Sequence, residues 1–246
     1  MKHRAVFAVL LAVPIAAWIW VVLMARDMYG SMQGASAWMM TLVWDWPHVL
    51  LLWLMWAVMM TAMMMPAAAP LVLLYAAAAR KQEDATRPAA RVYALAGGYI
   101  LVWALFSVGA TALQRLLAGA LVLTPMMEPA TPVAGAMVLG LAGLYQVTPW
   151  KRACLNVCRS PLAFMLDRSR AGIGGAFRLG LEHGAHCVGC CWAMMLILFA
   201  GGVMNLTVIL ALTVWVLVEK AMPLGDRTPV ATGVALLAAA AWMLLR

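Results

Sequence analysis

Residues 48–75 have the sequence HVLLLWLMWAVMMTAMMMPAAAPLVLLY, which contains no Asp, Glu, Lys or Arg. About 20 consecutive apolar residues are enough for a helix to cross the roughly 30 Å hydrocarbon core of a membrane. Two prolines, Pro66 and Pro70, lie within the run and predict a kink or an interruption, a feature that often marks a site in membrane helices. The stretch therefore predicts a long membrane-spanning helix that is broken near its middle.

The rest of the chain has the same character, since 66% of the 246 residues are hydrophobic and only 11% are charged. Soluble domains do not have this composition. We predict an all-α, polytopic membrane helix bundle that forms one domain over residues 1–246. The Gly201–Gly202 region predicts a tight hairpin between the fifth and sixth spans, and 149–186 is predicted as a cytoplasmic loop. The seven candidate spans are roughly 5–24, 48–75, 92–114, 132–148, 187–203, 205–222 and 229–245.

Basic residues give the predicted orientation. With a cytoplasmic N-terminus, all but Arg26, Arg115 and Arg246 of the 17 Lys and Arg residues fall in inner segments. This bias is the positive-inside pattern, and it predicts a multi-pass protein of the bacterial cell inner membrane. It also explains the net charge of +8 without a nucleic-acid partner. The first span can alternatively be a cleaved signal peptide, but its apolar stretch is longer than such a segment usually has.

A cluster of metal-binding residue types lies in residues 182–195, EHGAHCVGCCWAMM. Steps of three and four residues place such side chains on one face of a helix. We predict a metal site formed by Cys187, Cys190 and Cys191, with His183 as a further ligand and His186 beside it. Met194 and Met195 continue the face, and this imidazole, thiolate and thioether set suits a soft metal. Small-residue packing and thiol redox chemistry remain alternative explanations of the cysteines.

Residues outside this stretch extend the predicted site. Cys154 and Cys158 are one helical turn apart and can pass Cu(I) to a partner, or they are ordinary buried cysteines. The cations Lys151, Arg152 and Arg159 would favour their thiolates. Glu219 is expected to form an ion pair with Lys220 or Arg227, with hydrogen bonding to a ligating histidine as the alternative.

Methionines suggest a route toward the cluster. The i,i+4 pairs Met59/Met63 and Met60/Met64 form a stripe that can conduct Cu(I) by thioether ligation or can simply fill the core. On the outer side, we predict an entry site at which a soft ion first binds. This site combines methionine thioethers with a carboxylate and an imidazole. The alternative there is an ordinary interfacial loop with Trp anchors. The residues of this outer group are Asp45, His48, Met126 and Met127.

Four stretches resemble an uncharacterised bacterial family of predicted metal-binding integral membrane proteins, some of which are described as copper chaperones. The stretches are MTAMMMPAAAP (60–70), YQVTPWKRACLNVCRSP (145–161), GLEHGAHCVGCCWAMM (180–195) and 202–223. The resemblance implies a metal role for Cys187, Cys190 and Cys191, and also for Cys154 and Cys158. The family often has an aromatic residue where this chain has His186.

These observations predict a membrane protein that binds Cu(I) and acts in copper handling, transport or delivery. Its expected partners are the lipid bilayer, the metal ion and a metallochaperone or cuproprotein. Nothing in the sequence indicates an ATP-driven pump, since it has no phosphate-binding loop motif, and an enzyme is disfavoured. Two alternatives stay open. One is a thiol–disulfide oxidoreductase that uses the Cys187–Cys190 pair, and the other is a membrane subunit with a structural zinc site.

Overall fold

The computed structural model describes residues 2–32, 35–40, 44–81, 88–124, 126–222 and 227–245. Within these ranges the regular structure is helical, and one isolated bridge between Leu123 and Pro129 is the only β pairing. The all-α prediction is confirmed. The helices are α1 (Lys2–Met28), α2 (Ala35–Met39), α3 (Trp46–Lys81), α4 (Pro88–Gly119), α5 (Pro132–Gln146), α6 (Pro149–Arg159), α7 (Pro161–Arg168), α8 (Gly172–Leu196), α9 (Leu198–Gly201), α10 (Leu206–Ala221) and α11 (Arg227–Leu245).

Five helical stretches in the described part of the chain are long and apolar enough to cross a membrane. A sixth span results if α5 and α6, which meet at a 68° bend, are counted together. The predicted span 205–222 corresponds to α10, which has 16 residues. This helix is about 24 Å long, shorter than a typical hydrocarbon core. The five stretches are Leu10–Met28, Trp46–Ala79, Pro88–Gly119, Gly172–Gly201 and Arg227–Leu245.

The structure bears on two predictions about local structure. The helix α3 continues through Pro66 and Pro70, so the predicted interruption is wrong, whereas the predicted kink stays a prediction. Neighbouring helices and local adjustments can compensate for the backbone groups that a proline frees. Residues 149–186, predicted as a cytoplasmic loop with helical spacing only at Cys154–Cys158 and toward its end, form α6, α7 and the first half of α8. Their charged residues lower the mean hydropathy and conceal short amphipathic helices. The side chain of Thr148 caps α6 by accepting a hydrogen bond from the Lys151 backbone N–H at 3.3 Å.

The closest helix crossing joins α4 and α8, which share the most extensive interface of the bundle. A Cβ on Gly98 would collide with the carbonyl oxygen of Phe177, and a Cβ on Gly180 would collide with that of Leu95. Glycine at both points lets the two backbones touch, as small residues do at membrane helix interfaces. This crossing brings Tyr99 of α4 against the face of α8 that carries the cysteines.

The two ends of the bundle can be named by their contacts. At one end, the Tyr29 hydroxyl donates to Glu128 at 3.2 Å, and the Val203 N–H donates to the Met127 carbonyl at 3.4 Å. We call this the Glu128 end. The opposite end, where α6 meets the end of α10 through Glu219, is the Glu219 end.

Candidate metal centre

Four buried thiols converge between α6 and α8. Cys187, Cys190 and Cys191 of α8 are fully buried, and Cys158 of α6 is nearly so. The Cys190 sulfur lies 3.8 Å from that of Cys158 and 3.3 Å from that of Cys191. The Cys187 side chain interacts with the other three thiols. The helical face predicted from the spacing of three and four residues is therefore formed, and α6 adds a thiol from a second helix.

Cys187 also has two polar partners from other helices. The Lys220 ammonium group of α10 lies 2.9 Å from the Cys187 sulfur, and the Tyr99 hydroxyl lies 3.0 Å from it. Tyr99 donates in addition to the carbonyl of Met64 at 2.9 Å. A cation in direct contact with a buried sulfur stabilises its thiolate form, which is the form that binds metals.

His183 lies one turn before Cys187 on the same face and is only 2% exposed. Its ring packs between Tyr99 and Phe164, with centroid distances of 5.8 and 5.4 Å. Its Nδ1 is buried and has no hydrogen-bond partner among the described residues. Burying a polar nitrogen without a hydrogen-bond partner costs free energy. A ligand that bound the His183 Nδ1 would remove this cost.

His186 occupies a different environment. It is half-buried, its Nδ1 lies 2.7 Å from the carbonyl oxygen of Glu182, and its ring packs against Phe164. The sequence placed it on the same face as the cysteines, but the structure engages its Nδ1 with the backbone of its own helix.

Glu219 forms a buried ion pair, although the predicted partners are wrong. Its carboxylate binds the Lys151 ammonium group at 2.7 Å, and these side chains are 1% and 0% exposed. Arg159 donates to the Glu219 backbone carbonyl at 2.9 Å, and Arg152 donates to the Val147 carbonyl at 3.3 Å. The cations beside the α6 cysteines thus bind oxygen atoms. Lys220 of α10, which the prediction did not include, contacts a cysteine.

Cys154 lies outside the four-thiol cluster. It is half-buried and packs against Gly189, where an added Cβ would be 2.7 Å from its sulfur. Tyr145 donates a hydrogen bond to the Gly189 carbonyl on the same side of α8. Cys154 and Cys158 do share one helix, as their spacing predicts, but only Cys158 joins the cluster.

The predicted methionine route lies in the core. Its members are completely or nearly completely buried, and the Met194 sulfur lies 3.0 Å from the amide nitrogen of Gln146. Burial is expected both for a conducting stripe and for a packed core, so the route stays a prediction. Its members are Met59, Met60, Met63, Met64, Met194 and Met195.

The outer group is divided by the structure. His48 and Met127 are buried, Met126 is half-buried, and Asp45 is exposed. The Asp45 carboxylate accepts a hydrogen bond from the His48 backbone N–H at 3.0 Å. This is the geometry of a helix N-cap, so Asp45 caps the N-terminus of α3.

No group of three or more His, Cys, Asp or Glu side chains in the described ranges is arranged as a preformed metal site. The sulfurs instead contact one another, Lys220 and Tyr99. A metal–sulfur distance of about 2.3 Å places the sulfurs of a trigonal site about 4 Å apart. The 3.8 and 3.3 Å separations around Cys190 are shorter than that value.

A sequence model of the PpoB2 family, described as copper chaperones, matches residues 53–243, which is more than half of the chain. The chain belongs to this family. The PpoB2 match confirms the resemblance to metal-binding membrane proteins with copper chaperone members, and it associates the chain with copper. Curated proteins and solved structures give no match to the chain. The matched range contains all five cysteines and begins after His48.

The sequence did not reveal three residues of the centre. The sequence indicated a functional role for Lys220, because an ionisable residue in an apolar segment is by default functional. Lys220 was instead interpreted as an ion-pair partner of Glu219. Tyr99 and Phe164 carried no signal, since aromatic residues are common in apolar helices. Only the α4–α8 crossing and the fold of α7 show that both rings contact His183.

Proposed function

We propose that the protein binds Cu(I) at Cys158, Cys187, Cys190 and Cys191, with His183 as an additional ligand, and that it acts in copper transport or delivery. The observation that carries the proposal is the convergence of four buried thiols beside a buried imidazole whose Nδ1 has no partner. Thiolate and imidazole ligands suit Cu(I). Membership of the PpoB2 family supports copper as the cargo.

The charge of Lys220 supports binding of a monovalent soft ion. Two thiolates with Cu(I) carry a net charge of −1, which the adjacent ammonium group offsets. Thiols must lose their protons when they bind a metal, and an unbalanced buried charge is costly. The contact between Lys220 and Cys187 provides the compensating charge inside the site.

We further propose that the chain is a single membrane domain with seven spans, a cytoplasmic N-terminus and the Glu219 end toward the cytoplasm. The distribution of Lys and Arg supports this orientation. Trp46 and Met64 are 18 residues apart on α3, or about 27 Å. Because Tyr99 joins Met64 to Cys187, the thiols lie close to the cytoplasmic boundary of a roughly 30 Å core.

In this arrangement the methionines of α3 and α8 lead toward the thiols, and Cys154 completes the route. Cys154 lies one turn from Cys158 and is partly accessible. It can exchange Cu(I) with a metallochaperone or cuproprotein without exposing the buried cluster.

One alternative has a specific observation in its favour. The sulfurs of Cys158 and Cys190 are 3.8 Å apart, so a modest movement allows a reversible disulfide and thiol–disulfide exchange. A structural zinc site is the other use of such a cluster. The two alternatives differ from the proposal in metal identity and in thiol redox state.

The test is elemental analysis of protein purified anaerobically in detergent. Copper is expected in the parent and in Met63→Leu and Cys154→Ser, but not in Cys187→Ser or Cys190→Ser. Unchanged copper in the two cluster variants would refute the site. Zinc lost in the same pattern would establish a structural zinc site, and a metal-free reversible disulfide would establish the oxidoreductase.

A further inference from the structure

A second group of soft donors surrounds a small cavity at the Glu128 end of the bundle. The cavity has a volume of about 30 Å³ and is lined by His48, Met39, Met40 and Met127, together with uncharged residues. A cavity of about 10–15 Å³ already holds one water molecule. The space is therefore large enough for an ion and too small for an organic substrate.

His48 is the polar side chain that this cavity leaves unsatisfied. It is 1% exposed, and its Nε2 lies 3.3 Å from the Met39 carbonyl oxygen. Its Nδ1 is buried without a hydrogen-bond partner in the described part of the chain. The backbone N–H of the same residue donates to the Asp45 carboxylate, which holds the His48 backbone at the start of α3.

The thioethers come from two different segments of the chain. Met39 ends α2, Met40 follows it, and Met127 lies in the connection between α4 and α5. Met39 and Met127 are each 3% exposed. Met127 has a φ of 58°, a left-handed conformation that a non-glycine residue adopts at an energetic cost and that is enriched at ligand sites. The Tyr29–Glu128 and Val203–Met127 hydrogen bonds hold this strained segment in place.

We propose that this cavity is a second binding site for a soft monovalent ion, Cu(I) or Ag(I), held by His48 Nδ1 and the sulfurs of Met39 and Met127. Neutral imidazole and thioether ligands need no deprotonation and favour Cu(I) over hard cations. None of the described residues that line the cavity carries a carboxylate, which disfavours Mg²⁺ and Ca²⁺, because these ions require oxygen ligands. Asp45 and Met126, grouped with His48 by sequence, are not ligands of this site.

The site is separate from the thiol cluster. His48 and Met64 are 16 residues apart on α3, which is about 24 Å of helix, and Met64 adjoins the cluster through Tyr99. Between them, Leu52, Met55, Met59 and Met63 follow His48 at steps of three and four, and all are fully buried. The two sites therefore lie at opposite ends of one apolar, methionine-rich helix face.

The experiment is methyl NMR of the detergent-solubilised full chain labelled with ¹³C at the methionine methyl groups, titrated with Ag(I). The methyl signals of Met39 and Met127, assigned from Met→Leu variants, are expected to shift. The signal of the exposed Met137 is the internal control and should not move. His48→Leu should weaken Ag(I) binding, read from the Met39 and Met127 shifts, by roughly 10- to 100-fold or more. Loss of a residue that only supports a metal ligand already has an effect of this size.

Two further variants keep the outcomes distinct. Met39→Leu with Met127→Leu nearly conserves core volume, and it tests the site if His48→Leu fails to fold. In this variant the methyl signal of Met40, which also lines the cavity, is the reporter and should respond far less to Ag(I) than in the parent. Cys187→Ser should leave the Met39 and Met127 shifts intact. If these shifts occur but copper retention is the same in the parent and in Cys187→Ser, the proposed function is refuted and the second site stands. Signals of Met39 and Met127 that do not move at saturating Ag(I), as for a cavity that holds only water, would overturn the second site.

Discussion

The buried Lys151–Glu219 pair makes a quantitative prediction about stability. The two charged groups are 2.7 Å apart and at most 1% exposed, and the second carboxylate oxygen of Glu219 has no partner among the described residues. Lys151→Met leaves this carboxylate buried and uncompensated. Removing one member of a buried pair costs about 3–5 kcal/mol.

For a chain of this size, 1 kcal/mol corresponds to about 2–4 °C in melting temperature. The single variant Lys151→Met should therefore melt roughly 6–20 °C below the parent. The double variant Lys151→Met with Glu219→Leu removes both charges, and such replacements are often close to neutral. Its melting temperature should return most of the way to the parent value.

The assay is thermal unfolding of the detergent-solubilised protein, with all variants measured in one detergent and with Glu219→Leu completing the double-mutant cycle. Strongly non-additive losses are expected, because the two groups share one interaction. Additive losses from the two single variants would show that the pair is not coupled and would refute the reasoning.

Other contacts give further predictions. Gly180→Ala places a Cβ on the Leu95 carbonyl and should lower the free energy of unfolding by about 1–3 kcal/mol through overpacking. The control Gly97→Ala meets open space and should be neutral or stabilising. Denaturant titration measures both free energies of unfolding. Lys220→Met should weaken Cu(I) binding by roughly tenfold or more, measured by chelator competition, while Lys220→Arg retains most of it because the charge remains. Removing copper with a chelator should lower the melting temperature of the parent, since a ligand at 100 times its dissociation constant contributes about 2.7 kcal/mol; an unchanged value would argue against binding to the native state.

The sequence predicted the features that depend on local pattern. The apolar runs predicted helices, the spacing of residues 183–195 predicted one buried face, and the glycines 201 and 202 predicted a turn, where Gly202 indeed has a φ of 89°. The large share of apolar residues also led to a correct all-α assignment. Each of these signals is contained in a few neighbouring residues.

The remaining features depend on contacts between distant segments. The choice of Lys151 as the partner of Glu219 joins residues 68 positions apart, and the Tyr99–Cys187 contact joins residues 88 positions apart. Neither distance leaves a periodic signal. The full extent of the helices in 149–186 was not predicted for another reason, because the charged residues of Pro149–Arg159 lower its mean hydropathy, although Lys151 is buried.

The order of synthesis gives the Lys220–Cys187 contact a consequence for biogenesis. Lys220 follows Cys187 by 33 residues, which a ribosome adds in roughly 2–7 s at 5–20 residues per second. During that interval Cys187 lacks the cation that stabilises its thiolate. Because the thiolate is the reactive and metal-binding form, Cys187 of a nascent chain stays a less reactive thiol, and completion of α10 turns it into a metal ligand.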